Sequence, residues 1–169
     1  IESNEAALNM VVDHLSHGES KAVYKNTTLD LRRYKRLEMF VHANAFAQNA
    51  TALTDNELAV FVRLGSDYRN NYYEYQIPLR LTPAGRYHLN VSTDRQAVWP
   101  IENMLDIPLS VFTDLKRQRN IAKAQGLASF TSAYSDYDAE HPTNLMTIMG
   151  NPSLGEVRTI MIGVRNLST

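Results

Sequence analysis

Apolar side chains recur at every second position through much of this chain, the period of a strand with one buried face. In 58–64, Leu58, Val60, Val62 and Leu64 point one way while Ala59, Phe61 and Arg63 point the other. In the next such segment Tyr73, Tyr75, Ile77 and Leu79 alternate with Glu74, Gln76 and Pro78, and near the end Ile160, Ile162 and Val164 alternate with Met161, Gly163 and Arg165. The pattern predicts further strands over 37–45, with Leu37, Met39, Val41 and Ala43 on one face, and over 145–149. It also predicts strands over 8–15 and 21–25, joined at the turn Ser16-His17-Gly18-Glu19. About seven short strands, supplied by both the first and last thirds of the chain, predict a mainly β fold: a two-sheet antiparallel β-sandwich.

The period changes to that of a helix over 111–125, where Phe112, Leu115, Arg119 and Ala122 share a face. Ser110 is placed to cap its start and Gly126 to close its end, which predicts one surface α-helix. Asp30 to Lys35 can form a single helical turn before the strand that starts at Leu37. Two stretches, 46–56 and 127–144, are rich in turn-forming and polar residues and read as long loops. No internal repeat or heptad is present.

With 169 residues the chain fits one domain over 1–169, a size that hides roughly 70% of the surface of the unfolded chain. Its 17 Lys and Arg against 18 Asp and Glu leave a net charge of −1, so there is no general attraction to nucleic acid or to anionic membranes. The absence of cysteine excludes disulfides, thiolate zinc sites and cysteine nucleophiles. The opening IESNEAALNMVV lacks the basic and then apolar layout of a signal peptide, and no later segment approaches the ~20 apolar residues of a spanning helix. The expectation is a soluble domain excised from a much longer chain.

Candidate chemistry is sparse. Tyr72 and Trp99, beside Tyr73 and Tyr75, could stack on the apolar faces of a sugar, although Tyr73 and Tyr75 fall on the inward parity and read first as core. Asp136, Asp138, Glu140 and His141 form the densest oxygen-and-imidazole cluster, and calcium is the ion such a loop could take. The cluster lacks the glycine and terminal glutamate of a calcium-binding hand, and acidic residues in loops are usually just solvated. The loop from Gly65 to Asn71 is a second possible ion site, or simply a polar hairpin. The five histidines are scattered without metal spacing. No GxSxG elbow occurs, and the glycines of Gly150-Asn151-Pro152-Ser153-Leu154-Gly155 precede a strand, which is not the context of a phosphate loop. Lys116, Arg117, Arg119 and Lys123 give the helix a basic stripe that could meet an acidic partner or face solvent. These observations leave no catalytic set and no required cofactor.

Four stretches carry a resemblance: DLRRYKRLEMFVHA (30–43), VFVRLGSDYRNNYYEYQIPL (60–79), WPIENMLDIPLSVFTDLKRQRN (99–120) and GNPSLGEVRTIMIGVRN (150–166). Together they resemble the SprA/Sov family, the gliding-motility and type IX secretion components of Bacteroidota, over nearly the whole chain. The resemblance implies a far longer parent that forms a giant β-barrel translocon in the outer membrane, with this chain as one domain that does not itself span the membrane. It further implies a non-enzymatic structural or interaction role, with other secretion-system subunits or cargo proteins as partners, and the extracellular side preferred over the periplasmic. The layout WPxxNxxDIPLxxF ahead of a helix is also similar to jelly-roll domains of the galactose-binding type, an analogy of fold that transfers no ligand. A carbohydrate-binding module using Tyr72 and Trp99 is the alternative, with a glycan as partner.

Overall fold

The computed structural model describes residues 7–45 and 52–169. In chain order the elements are β1 (Ser20–Leu29), β2 (Arg36–Met39), β3 (Leu58–Gly65), β4 (Tyr72–Pro78), α1 (Ser92–Val98), β5 (Leu105–Pro108), α2 (Ser110–Ala124), β6 (Tyr134–Tyr137), β7 (Leu145–Met149) and β8 (Val157–Asn166). Single 3-10 turns occupy Leu31–Arg33 and Ile101–Asn103. Six strands form one sheet in the order β1-β8-β3-β4-β7-β6, and β2 pairs with β5 in a separate ribbon. All pairings are antiparallel.

The alternation read from the sequence sets the core face of this sheet. Val62 sits opposite Tyr75 on β4 and Ile162 on β8, and Tyr75 opposite Met146 on β7, so one row of apolar side chains crosses four strands. The rows above and below add Val60, Leu64, Tyr73, Ile77 and Ile148, all buried. Against them pack Leu105 and Ile107 of the ribbon and Phe112 and Leu115 of α2. The Phe112 ring lies 5.2 Å from that of Tyr73 and meets Tyr75 edge-on at 6.4 Å, offset arrangements that aromatic quadrupoles favour. Fully buried Asn103 ties the approach to the ribbon to the end of β4, accepting from the Arg80 backbone N–H at 2.7 Å and donating to the Arg80 carbonyl at 2.8 Å.

The fold is therefore mainly β and antiparallel, as expected, but its strands divide six and two. That division departs from the two comparable sheets of a jelly-roll sandwich. β2 and β5 are only four residues each, too short to cover a six-stranded sheet, and α2 completes the second layer over β6 and β7.

On the opposite face, where alternation leaves Arg63, Glu74, Gln76 and Arg165, the side chains bury one another. Glu74 is 4% exposed and receives Arg63 through Nε at 2.8 Å and Nη2 at 2.6 Å, and Arg165 through Nη1 at 2.9 Å. Arg165 also donates to Gln76. Phe61 lies between the two guanidiniums, 5.6 Å from that of Arg63 and 4.7 Å from that of Arg165. The ring rests on Gly163: a Cβ there would come within 2.4 Å of it, so the close approach requires glycine.

Several expectations need correction. Residues 8–15 form no strand; Leu8 and Val11 are exposed, so the segment has no buried apolar face to fix it against the sheet, and the turn at 16–19 feeds directly into β1. The strand expected over 37–45 stops at Met39, opposite Leu105 where β5 begins, yet Val41 and Ala43 still pack against the core. Ser110 is the first residue of α2 and not its cap; Leu109 holds the cap position without a side-chain bond. Gly126 does end the helix, at φ +75°. The expected 127–144 loop contains β6, and of the 46–56 loop residues 46–51 lie outside the described residues.

Candidate functional site

The loop at 150–155 is anchored from several directions. Tyr73 Oη donates to the Pro152 carbonyl at 3.1 Å, and Lys116 Nζ reaches the same oxygen at 2.7 Å. Arg119 Nη1 donates to the Gly150 carbonyl at 2.6 Å, and the Asn151 amide donates to Asn71 Oδ1 at 3.0 Å. Gly150 has φ +68°, and a Cβ on it would lie 1.9 Å from the Asn70 carbonyl oxygen, so no other residue fits. The Leu31 amide donates to the Leu154 carbonyl at 2.7 Å, fixing the 3-10 turn against the loop. That turn is capped by Asp30, which accepts from the Arg32 amide at 3.1 Å and from its guanidinium at 2.9 and 2.7 Å. The Arg32 bonds hold the Asp30 carboxyl down to about 2.

Between the turn, the loop and the first two turns of α2 lies an open groove of about 420 Å³. Leu31, Leu109, Leu154 and Tyr73 give it apolar walls, while Arg32, Lys116, Ser110 and Thr113 line it with donors and hydroxyls. Among the described residues no Asp or Glu lines it. Each of the four stretches quoted above supplies part of the wall: Leu31 and Arg32, then Tyr73, then Leu109 to Lys116, then Ser153 and Leu154.

Two cations of α2, Lys116 in the groove lining and the buried Arg119, have no carboxylate partner among the described residues. Burial and the nearby Arg119 charge lower the Lys116 pKa, and burial lowers that of Arg119. Arg119 is fully buried, with Nε donating to Asn120 Oδ1 at 3.0 Å and its guanidinium 4.5 Å from the Phe130 ring. Its Nη2 has no hydrogen-bond partner among the described residues, a costly condition for a buried donor. Burial pushes the Tyr73 hydroxyl pKa up to about 12, against the pull of Arg119. Lys123 also sits over Phe130, at 4.7 Å, and among the described residues only Arg117 of the basic stripe pairs with an acid, Asp114 at 3.2 Å. The stripe is thus partly core, which the placement of Arg119 with Phe112 and Leu115 foreshadowed.

The other sequence candidates are dispersed. Tyr72 is half-buried under the Arg63 guanidinium, 3.9 Å from its ring centroid, so it is less outward than its parity suggested. Trp99 is exposed beside Phe40 and His42, with ring separations of 6.5 and 5.7 Å. Tyr72 opens β4, whereas Trp99 follows α1, whose Ala97 carbonyl accepts from Thr82 beyond the other end of that strand. The two rings do not form one platform. Asp138 is buried, accepting from Tyr75 Oη at 2.6 Å and from the Glu140 amide at 2.9 Å, and Asp136 bonds the Tyr137 amide at 2.9 Å. The two carboxylates thus serve local structure separately, and Asp67 in the β3–β4 hairpin is likewise occupied by Arg69, Asn70 and Asn71. Among the described residues no three His, Asp or Glu side chains gather where they could hold a metal.

Sequence reasoning could find Arg119 and Lys116 from helical spacing, but not the groove, because its walls come from four distant segments. The only linear signal was that those segments were the ones carrying the resemblance. No curated protein matches the chain. A family model, SprA_N, described as motility related/secretion protein, matches residues 1–169, the full length. The chain belongs to this family of motility related and secretion proteins.

Proposed function

We propose that this chain is a non-enzymatic structural and interaction domain of the type IX secretion translocon, held at the outer membrane on its extracellular side, where it docks other secretion subunits or cargo in support of export and gliding. Family membership supports the motility and secretion role. The observation that carries the docking role is the convergence of all four resembling stretches on one rigidly anchored groove. Loops fixed at the end of a sheet are suited to presenting such a surface. No helix among the described residues is long and apolar enough to cross a membrane.

The test is removal of this segment from the full-length translocon. Export of cargo and surface motility should both fall while the parent protein still reaches the membrane. Unimpaired secretion after deletion would overturn the reading.

A further inference from the structure

We propose that the groove between the Leu31–Arg33 turn, the start of α2 and the 150–155 loop docks an acidic peptide segment of a partner protein, one carboxylate meeting Lys116 and an apolar side chain lying on Leu31, Leu109 and Leu154. The inference rests on the docking role above and specifies its partner chemistry.

Size comes first. A groove of about 420 Å³ lies within the ~300–1,000 Å³ range of sites that hold compact ligands. Its lining cations, with no acid among the described lining residues, are complementary to an acid. Lys116 is half-buried, and among the described residues its ammonium bonds only the Pro152 carbonyl at 2.7 Å, a neutral partner. Among the described residues no carboxylate stands within ion-pair distance of it. Desolvating a cation is unfavourable, and an incoming carboxylate offsets that cost with a charge-assisted bond. The amide end of α2, without a side-chain cap and without an acid in its first turn, adds positive potential on the same side.

A peptide fits better than a phosphate or a lipid headgroup. Phosphate recognition uses several free cations or an arginine fork, and the Arg32 fork is already closed on Asp30 at 2.9 and 2.7 Å. The three leucines and Tyr73 would face a phosphate with nothing to bind, but they match apolar side chains of a peptide.

The experiment uses a short fluorescein-labelled peptide alternating Asp and Leu, its counterpart alternating Asn and Leu, and phosphatidylglycerol vesicles, each titrated with the chain by anisotropy or sedimentation. The acidic probe should bind saturably, about tenfold or more tighter than the amide probe, and weaken as salt is raised. Thr113→Glu places a negative charge on an exposed groove position; it should weaken the acidic probe about tenfold with an unchanged melting temperature. Equal binding of both peptides, no saturation at about 1 mM, or indifference to Thr113→Glu would overturn the proposal, as would vesicle binding that Thr113→Glu abolishes. In the full translocon, export lost on deletion of the segment but normal with Thr113→Glu would sink the groove proposal and leave the docking domain standing. Export unaffected by either change would sink both.

Discussion

Glu74 gathers two arginines onto a single buried carboxylate. Its carboxylate is 4% exposed and joins Arg63 and Arg165, whose side chains remain 18% and 21% exposed. Glu74→Gln keeps the shape but removes the charge, leaving two crowded guanidiniums facing each other across a neutral amide. Breaking one side of a fully buried ion pair costs about 3–5 kcal/mol, and the partial exposure of the arginines lowers the expectation here to about 2 kcal/mol. Urea denaturation at neutral pH measures it; a loss below about 0.5 kcal/mol would mean that solvent compensates the arginines. Residue patterning alone could not reveal this cluster. Alternation assigns Glu74 and Gln76 to the face away from the core, and it does so correctly; their burial comes from lateral neighbours on β3 and β8.

At the scale of elements, the β3–β4 hairpin depends on one carboxylate. Asp67 accepts from the Arg69 amide at 2.8 Å, from the Asn70 and Asn71 amides, and from Asn71 Nδ2 at 3.0 Å. Burial works to raise its pKa, but the bonds from Asn70, Asn71 and Arg69 outweigh it and the net shift is downward. A depressed carboxyl contributes stability that is present above its unfolded value of about 4 and is lost as pH falls through the folded value. Melting temperatures should therefore fall more steeply below about pH 4 in the parent chain than in Asp67→Asn; parallel curves would count against the assignment. The hairpin was legible as polar turn chemistry, and β3, β4 and β8 as alternating strands. Leu8 to Leu15 alternates too, yet Leu8 and Val11 stay exposed and the segment joins no ladder, and the short β5 and β6 carry too few residues to display a period.

For the molecule as a whole, sequence pattern established a mainly β, antiparallel body and the buried parity of its central strands. The six-and-two division and the groove depend on which distant segments meet, information that no local period contains. The helix shows the boundary well: Arg119 could be placed among apolar neighbours from spacing, while its bond to the Gly150 carbonyl could not. The stacked tiers of the core, by contrast, follow directly from Val62, Tyr75 and Phe112.

The sole tryptophan stands 47% exposed against Phe40 and His42, away from the Tyr73–Phe112 stack. Intrinsic fluorescence is consequently a spectator of one corner. Its emission should already be red-shifted in the native protein and change little in denaturant, whereas far-ultraviolet dichroism follows loss of the sheet; a large blue-to-red excursion at the dichroism midpoint would show the indole to be sheltered after all.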